Sequence, residues 1–311
     1  MKRALLTGVT GFLGTNLVRQ LSQTGDYELF GHSRNHDAAK KSFANTPLTL
    51  VPDCSAATLD RIGIDVVIHL AGIAHDLAGA YQPADYYRVN NENTRRVYDE
   101  FRKSNATLFI VLSSVKAAAD RASTPLEEDC LPAPATDYGK SKWLAEQYLL
   151  EQPLPPGKKF YILRPCLVHG PGNKGNLNLL YRLVRRGVPY PLGDFDNRRS
   201  FLSVDNFIFA VRRIMESEMA GGVYHLADSD VLSTAELYRL MAETLGIQPR
   251  IWRVPHRWIA LAAGLTGQRA PLQKLTGDFV VSSEKIRQAM GTDWPLSLRD
   301  GLIKTIRSFD E

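Results

Sequence analysis

Tyr138 and Lys142 stand four residues apart in the stretch Asp137-Tyr138-Gly139-Lys140-Ser141-Lys142. On a helix that spacing puts both side chains on one face. A tyrosine in free solution has a pKa near ~10 and exchanges protons poorly at neutral pH. An ammonium beside it favours the phenolate and lowers that pKa. Ser113-Ser114 closes an apolar run upstream, and a hydroxyl there can hold a substrate oxygen. These residue types suit moving a proton to or from a carbinol while a hydride moves to or from a nicotinamide; the lysine can also bind the nicotinamide ribose. The tyrosine–lysine pair alone is equally well explained as an ordinary amphipathic helix face. Its place after a strand ending in Ser-Ser gives it chemical meaning.

The elements that must position these groups are legible as apolar runs alternating with helical stretches. Lys2–Thr7 reads as a buried strand, followed by Tyr27–Ser33, Leu48–Val51, Asp65–Ala71, Leu108–Ser113, Phe160–Arg164 and Val223–Ala227. Most are continuous apolar runs, as expected of parallel strands covered on both faces. Between them, Leu17, Val18 and Leu21 keep helical spacing, as do the stretches Val89–Lys103 and Tyr138–Leu150. The alternation predicts an α/β fold with a doubly wound parallel sheet of Rossmann type. After Pro165 the pattern loosens. Gly170–Asn178 and Val188–Arg199 read as loops around a helix at Leu179–Arg186, and the tail from Ser233 reads as mostly helical, with breaks at Pro249, Pro255 and Pro271. The expected organisation is a dinucleotide-binding domain over residues 1–167, rejoined by 201–232. A smaller, mostly helical substrate-binding lobe, residues 168–200 and 233–311, would lie over the C-terminal strand ends.

Gly8, Gly11 and Gly14 fall between the first strand and the first helix, in Gly8-Val9-Thr10-Gly11-Phe12-Leu13-Gly14. Amides at a helix start bond a pyrophosphate, the helix dipole favours its charge, and glycine keeps side chains out of the way. The flanking strand and helix turn a weak glycine triplet into a dinucleotide site. An NAD site usually ends its second strand with a carboxylate that holds the ribose 2′-hydroxyl. Here that strand ends Phe30-Gly31-His32-Ser33-Arg34, and Asp26 lies before it. Ser33 and Arg34 suit a 2′-phosphate, so NADP(H) is expected ahead of NAD(H), which stays open. The competing reading makes Arg34 a solvated loop residue.

Composition narrows the class. With 311 residues, 44% of them hydrophobic and 23% charged, the chain has core enough for one large domain or two smaller ones. No apolar run is long enough to span a bilayer, and Gly8 and Gly11 interrupt the basic, apolar start too early for a signal peptide. A cytoplasmic protein without membrane insertion is expected. Cys54, Cys130 and Cys166 are far apart and in no metal or CxxC spacing, so they read as free thiols and no metal is expected. A net charge of +5 without a Lys/Arg block suits an anionic small ligand and not a nucleic acid. His69, His75 and His169 read as core or loop histidines; His75, after a strand end, is the best placed of them for chemistry.

The loop TGVTGFLG, the strand VIHLAG, Val89-Asn90, Ser113-Ser114 and YGKSK together resemble the extended short-chain dehydrogenase/reductase family of nucleotide-sugar epimerases, dehydratases and reductases. So do Leu163-Arg164-Pro165, Val168-His169-Gly170-Pro171-Gly172 and Arg199-Ser200-Phe201-Leu202-Ser203-Val204-Asp205, in matching order and spacing, so the likeness runs from residue 3 into the C-terminal tail. The resemblance implies that Ser114, Tyr138 and Lys142 are catalytic, with Ser114 preferred to Ser113 because the family's hydroxyl is the last of this run. It implies that Gly8, Thr10, Gly11, Phe12, Leu13 and Gly14 meet the cofactor, next to Ser33 and Arg34, which the end of the second strand already assigns to it. Ala71, Gly72, Tyr138, Lys142 and Pro165 would also meet it, Asn90 would steady the site beside it, and Asp53 would contact its adenine. On the substrate side, Asn173–Asn178 is similar to the nucleotide-sugar-binding stretch, with Asn176 bonding a phosphate or sugar oxygen. Pro191-Leu192-Gly193-Asp194 resembles the segment whose backbone meets the uracil, here at Gly193. Arg199 matches the arginine that pairs with the substrate diphosphate, the alternative being a structural ion pair; Arg198 beside it reads as a surface charge. Ser114 would also touch the substrate. The implied partners are a UDP-linked sugar and a second copy of the chain, in a homodimer built on the helix carrying Tyr138 and its neighbour.

The family's 4,6-dehydratases carry Asp-Glu immediately after the catalytic hydroxyl, as acid and base for water elimination. Val115-Lys116 stands there in this chain, so that reaction is excluded. Two reactions at C4 stay open. A 4-epimerase oxidises C4, lets the keto sugar turn and reduces the other face, with its NAD retained. A 4-ketoreductase takes a UDP-4-keto-6-deoxy sugar and uses NADPH once. The segment PLGDFDNRRSFLSVDN resembles a subgroup from bacterial polysaccharide clusters that holds both kinds. Ser33-Arg34 tilts the reading to the reductase, because a dissociable NADPH suits net reduction. A third reading, a non-catalytic dinucleotide-binding sensor or scaffold, predicts damage to the Ser-Tyr-Lys set, and all three residues are present.

Overall fold

The apolar runs become, in chain order, β1 (Lys2–Thr7), β2 (Tyr27–His32), β3 (Thr49–Leu50), β4 (Val66–His69), β5 (Leu108–Leu112), β6 (Lys159–Pro165), β7 (Leu167–His169), β8 (Arg199–Ser203), β9 (Gly222–Leu226) and β10 (Val231–Leu232). The structure, a computed structural model, describes residues 1–74, 81–122, 124–173, 175–267 and 269–310. Seven strands form one parallel sheet in the order β3-β2-β1-β4-β5-β6-β9. The order reverses between β1 and β4, and doubly wound sheets bind ligands at the carboxyl strand ends beside such a switch point.

Successive strand residues face opposite sides. Ala4, Leu6, Val66, Ile68, Ile110 and Leu163 share a core with Leu17, Val18 and Leu21 of the helix Phe12–Thr24 and with Ile208, Val211 and Ile214 of the helix Val204–Glu216. Leu5, Val67, Phe109, Val111 and Ile162 pack with Val97, Tyr98 and Phe101 of the helix Asn93–Lys103 and with Leu149 of the helix Asp137–Glu151. Cover on both faces is why these strands lack polar alternation.

The remainder departs from the sequence reading in three places. β7, β8 and β10 form a second sheet in the order β10-β8-β7, where the sequence pattern marked no strand. Two of its strands have three residues or fewer, too short to show a period. The helix after the Gly170 loop starts at Asn176, with Gly175 as N-cap. The helix expected from Val89 starts at Pro83 and passes through a π-helical segment, Tyr87–Glu92, which contains Asn90. Leu177, Tyr181, Val184, Leu237, Met241, Leu302 and Ile306 make a separate core for the helical lobe. No described helix is long and apolar enough to cross a membrane.

Candidate active site

Thr7 pairs with His32 on one side and His69 on the other, so β1, β2 and β4 end level. The segments that follow them, the glycine loop, Ser33-Arg34 and Ala71-Gly72, therefore share one edge. Gly8 has φ +71°, and a Cβ there would come within 2.7 Å of the Ala71 nitrogen. A Cβ on Gly14 would lie 2.2 Å from the Gly8 carbonyl oxygen, so the helix seats on the strand only with glycine at that point. Gly11 differs: its Cβ would meet only the Gly8 oxygen, at 3.2 Å, and otherwise fill open space at the helix start. Gly11 is the N-cap and supplies no side-chain cap, which leaves the first-turn amides, Phe12, Leu13 and Gly14, to an anionic ligand. A dinucleotide diphosphate fits this cradle.

Next to it, Arg34 is exposed, while the buried Ser33 hydroxyl donates to the Asn35 carbonyl at 3.2 Å and accepts from the Asn35 amide at 3.3 Å. Asp53 accepts from the Ser55 hydroxyl at 2.6 Å and amide at 2.9 Å, bonds that pull its pKa down to about 2. Its carboxylate is engaged in its own turn. Pro165 ends β6 on the same sheet edge, and Thr10 is exposed on the glycine loop.

Two buried residues fix the segment after β4. Asn90 Oδ1 accepts from the Ile73 amide at 2.8 Å, and Nδ2 donates to the Ile73 carbonyl at 3.0 Å and to Ser141 Oγ at 3.1 Å. Its amide is thus committed to the protein, and Asn90 is a positioning residue. His69 sits in a chain whose directions follow from its ends. The Ala71 amide donates to Thr7 Oγ1 at 3.3 Å, so Thr7 donates on to His69 Nδ1 at 2.8 Å. Thr94 Oγ1 donates to the Asn90 carbonyl at 2.8 Å, so it accepts from His69 Nε2 at 3.1 Å. Burial holds the His69 pKa down to about 3, which keeps the ring neutral and this chain intact. Of the three histidines read as core or loop, His69 and His169 are buried. His75 lies outside the described residues.

Ser114 caps the short turn Val115–Ala117, accepts from the Lys116 amide at 3.2 Å, and shares a hydrogen bond with the Tyr138 phenol. Ser113 donates instead to Glu146. The two serines therefore have separate partners, and Ser114 is the one that meets the tyrosine. Tyr138 is placed by the start of the helix Asp137–Glu151, where Thr136 accepts from the Gly139 amide at 3.2 Å. A Cβ on Gly139 would be 2.4 Å from the Lys116 carbonyl oxygen, so glycine lets the first helical turn lie against the Ser114 turn. Lys142 Nζ donates to the Leu112 carbonyl at 2.8 Å and lies 3.0 Å from where a Gly72 Cβ would be. This puts the ammonium between the end of β5 and the cofactor-side segment 71–73.

Burial pushes the Lys142 pKa down to about 8, against the opposing pull of Glu146. The Tyr138 phenol departs from expectation. Its pKa is raised, chiefly by burial; the bond with Ser114 lowers it, and Tyr86 and Glu146 raise it. Desolvation outweighs the anticipated help from Lys142, whose ammonium is turned to the Leu112 carbonyl. The phenol therefore holds its proton. At the two positions where a dehydratase has its acid and base, Val115 is buried, and Lys116 donates to the Asp120 carbonyl at 3.0 Å with its ammonium 4.3 Å above the Phe279 ring.

Across the site, half-buried Arg199 opens β8, paired with Leu232 and bridged to Phe279. Burial lowers its pKa and the nearby Cys166 opposes this, which places the guanidinium by the residue that follows β6. Gly193 donates its amide to the Trp252 carbonyl at 3.0 Å, and a Cβ there would fall 2.5 Å from Ile251 Cγ2. Glycine here allows close approach of two segments. Asn176 is the first residue of its helix, and its side chain lies outside the described part of the structure.

The sequence reading missed the polar core behind the site. Glu146 accepts from Ser113 and, at 3.0 Å, from Arg164 Nε, with both side chains of the ion pair only 2% exposed. The available signal was spacing, since Glu146 lies one helical turn beyond Lys142.

A UDP-glucose 4-epimerase of Vibrio cholerae is 32% identical over 322 residues, covering 99% of this chain and 95% of that protein. A GDP-6-deoxy-D-mannose reductase of Pseudomonas aeruginosa is 25% identical, with 96% of this chain and 99% of that one covered. The crystal structure of UDP-glucuronic acid 4-epimerase from Bacillus cereus in complex with NAD matches with a TM-score of 0.78 at 19% identity, over 99% and 98% of the two chains, which shows the shared fold. The NAD dependent epimerase/dehydratase family matches residues 4–227. With the sheet order, glycine loop and Ser114–Tyr138–Lys142 set in place, the chain belongs to the NAD dependent epimerase/dehydratase family.

Proposed function

We propose that the protein is an NADPH-dependent 4-ketoreductase of a UDP-linked 4-keto-6-deoxy sugar, serving bacterial surface-polysaccharide synthesis. The observation that carries this reading is the end of β2. The exposed Arg34 follows Ser33 there, beside the glycine loop, in the place where a carboxylate would hold a 2′-hydroxyl. When bound, the reduced nicotinamide supplies the hydride. Tyr138, protonated in its half-buried setting, gives its proton to the C4 oxygen as the alkoxide forms. Ser114 holds that oxygen and the phenol in one hydrogen-bonded group. The Lys142 ammonium, held between the Leu112 carbonyl and Gly72, orients the ribose. Arg199 grips the diphosphate, and Gly193 offers its carbonyl to the base. Exposed Leu144 and Leu150 on the Tyr138 helix support a homodimer through that helix.

The V. cholerae relative favours a second reading, a UDP-sugar 4-epimerase with retained NAD. One experiment separates the two. The purified protein is incubated with a UDP-4-keto-6-deoxy-N-acetylglucosamine plus NADPH or NADH, and separately with UDP-N-acetylglucosamine or UDP-glucose without reductant. The reductase reading expects oxidation of NADPH with kcat/KM about tenfold or more above that for NADH, the scale of a hydrogen bond to a charged group. Conversion of the second substrates without reductant would establish the epimerase.

A further inference from the structure

The helix His256–Leu265 turns its apolar stripe outward. Trp258, Leu261, Ala262 and Leu265 follow the spacing that in a surface helix normally faces the core. Yet Trp258, Leu261 and Leu265 are 55%, 53% and 82% exposed, and Trp252 on the preceding segment is 59% exposed. Single exposed apolar residues are ordinary, but a contiguous stripe marks a contact surface.

The charge along this stretch of sequence is one-sided, with the Asp194 carboxylate, 3.7 Å from His256 Nε2, as the acid packed beside it. From Thr244 to Gly277 the sequence contains no Asp or Glu, while it carries Arg250, Arg253, Arg257, Arg269 and Lys274. Arg250, Arg253 and Arg257 are exposed. A two-fold contact between copies would bring this basic surface against itself, with like charges opposed. An anionic bilayer complements it: tryptophan sits at the headgroup level, leucine enters the acyl boundary and arginine meets phosphate. At ten residues the helix is far too short to span the bilayer, so it would lie along the surface.

The patch is tied to the substrate side of the site. Trp252 accepts the Gly193 amide at 3.0 Å, and His256 bonds the Asp194 carbonyl at 2.9 Å and stacks on Phe195 with ring centres 4.1 Å apart. We propose that this face docks the enzyme on an anionic membrane surface, with the substrate loop 190–195 held beside the headgroups. The inference stands apart from the choice between reductase and epimerase.

The test is co-sedimentation of the full chain with phosphatidylcholine vesicles, with and without phosphatidylglycerol. Binding is expected to the anionic vesicles, to weaken with salt, and to fall about fivefold for Arg257→Gln. The double variant Leu261→Glu/Leu265→Glu should lose vesicle binding while keeping the wild-type melting temperature and turnover. As a check independent of that variant, brominated lipid should quench tryptophan emission, less so in Trp258→Phe. Absence of binding to anionic vesicles at low salt overturns the proposal. So does a wild-type dimer that the double variant dissociates without any vesicle binding, which would assign the face to a second copy.

Discussion

At the sheet edge, Asn90, Ser114 and Lys142 are each buried and each held by a named partner: Ile73, Tyr138 and the Leu112 carbonyl. Across the site, Gly193 and Arg199 are half-buried, and Gly193 lies on an irregular segment whose order comes from backbone pairing with Ile251–Arg253. The first region is preorganised by side chains on strand ends and a helix, which suits groups that must hold a proton within a fraction of an ångström of its target. The second is shaped by how loops approach one another, which suits recognition of a bulky nucleotide. Changes on the sheet side should therefore act on kcat, and changes on the lobe side on KM.

The largest effect is expected at Tyr138. Tyr138→Phe removes the proton donor and leaves the glycine cradle untouched, so kcat should fall by roughly 10²–10⁴ while the dissociation constant of NADPH, read by fluorescence titration, stays within about twofold. Unchanged turnover would show that the sheet side does not carry the chemistry.

Glu146 sharpens the same side. In the wild type, Lys142 loses its proton near pH 8, so kcat/KM should decline as pH rises through that value. The lysine's folded pKa is depressed, so between about 8 and 10.5 the unfolded chain binds the extra proton, and this group's contribution to stability increases with pH across that window. Glu146→Gln removes the charge that raises the Lys142 pKa, and the alkaline limb should move to lower pH. The change also leaves Arg164 buried without its counter-charge, at a cost of about 3–5 kcal/mol, readable as a lower urea midpoint. A lower midpoint with an unmoved alkaline limb would reduce Glu146 to a purely structural role.

How much of this could be read from sequence follows the same division. The glycine loop and the Tyr138–Lys142 spacing are local, since one turn and one helix create them, so residue types at fixed intervals reveal them. The neutral chain through His69 joins residues 62 and 25 positions apart, and the Glu146–Arg164 pair spans 18. No period in the sequence records such partnerships, because they arise only when the strands pair. The second sheet escaped for a related reason: β7 and β10 are stabilised by pairing with β8, not by any pattern of their own. The phenol's raised pKa shows a further limit, since spacing set Lys142 beside Tyr138 but burial fixed the sign of the shift.

On the lobe side the smallest and most selective effect is expected from Gly193→Ala. The added Cβ would sit 2.5 Å from Ile251 Cγ2 and 2.8 Å from the Trp252 carbonyl oxygen, so the two segments must separate. Separation stretches the hydrogen bond from the Gly193 amide to Trp252 and moves the carbonyl assigned to the nucleotide base. The net worth of one such bond corresponds to roughly a fivefold rise in KM for the nucleotide sugar. The kcat should hold, because Ser114, Tyr138 and Lys142 are positioned by the turn after β5 and the helix Asp137–Glu151 and not by the pairing of this loop with Ile251–Arg253, and the KM for NADPH should hold for the same reason. Steady-state kinetics with both substrates varied would read all three quantities. A fall in kcat with KM unchanged would erase the distinction between the two regions, and would mean that the loop helps set the geometry of proton transfer.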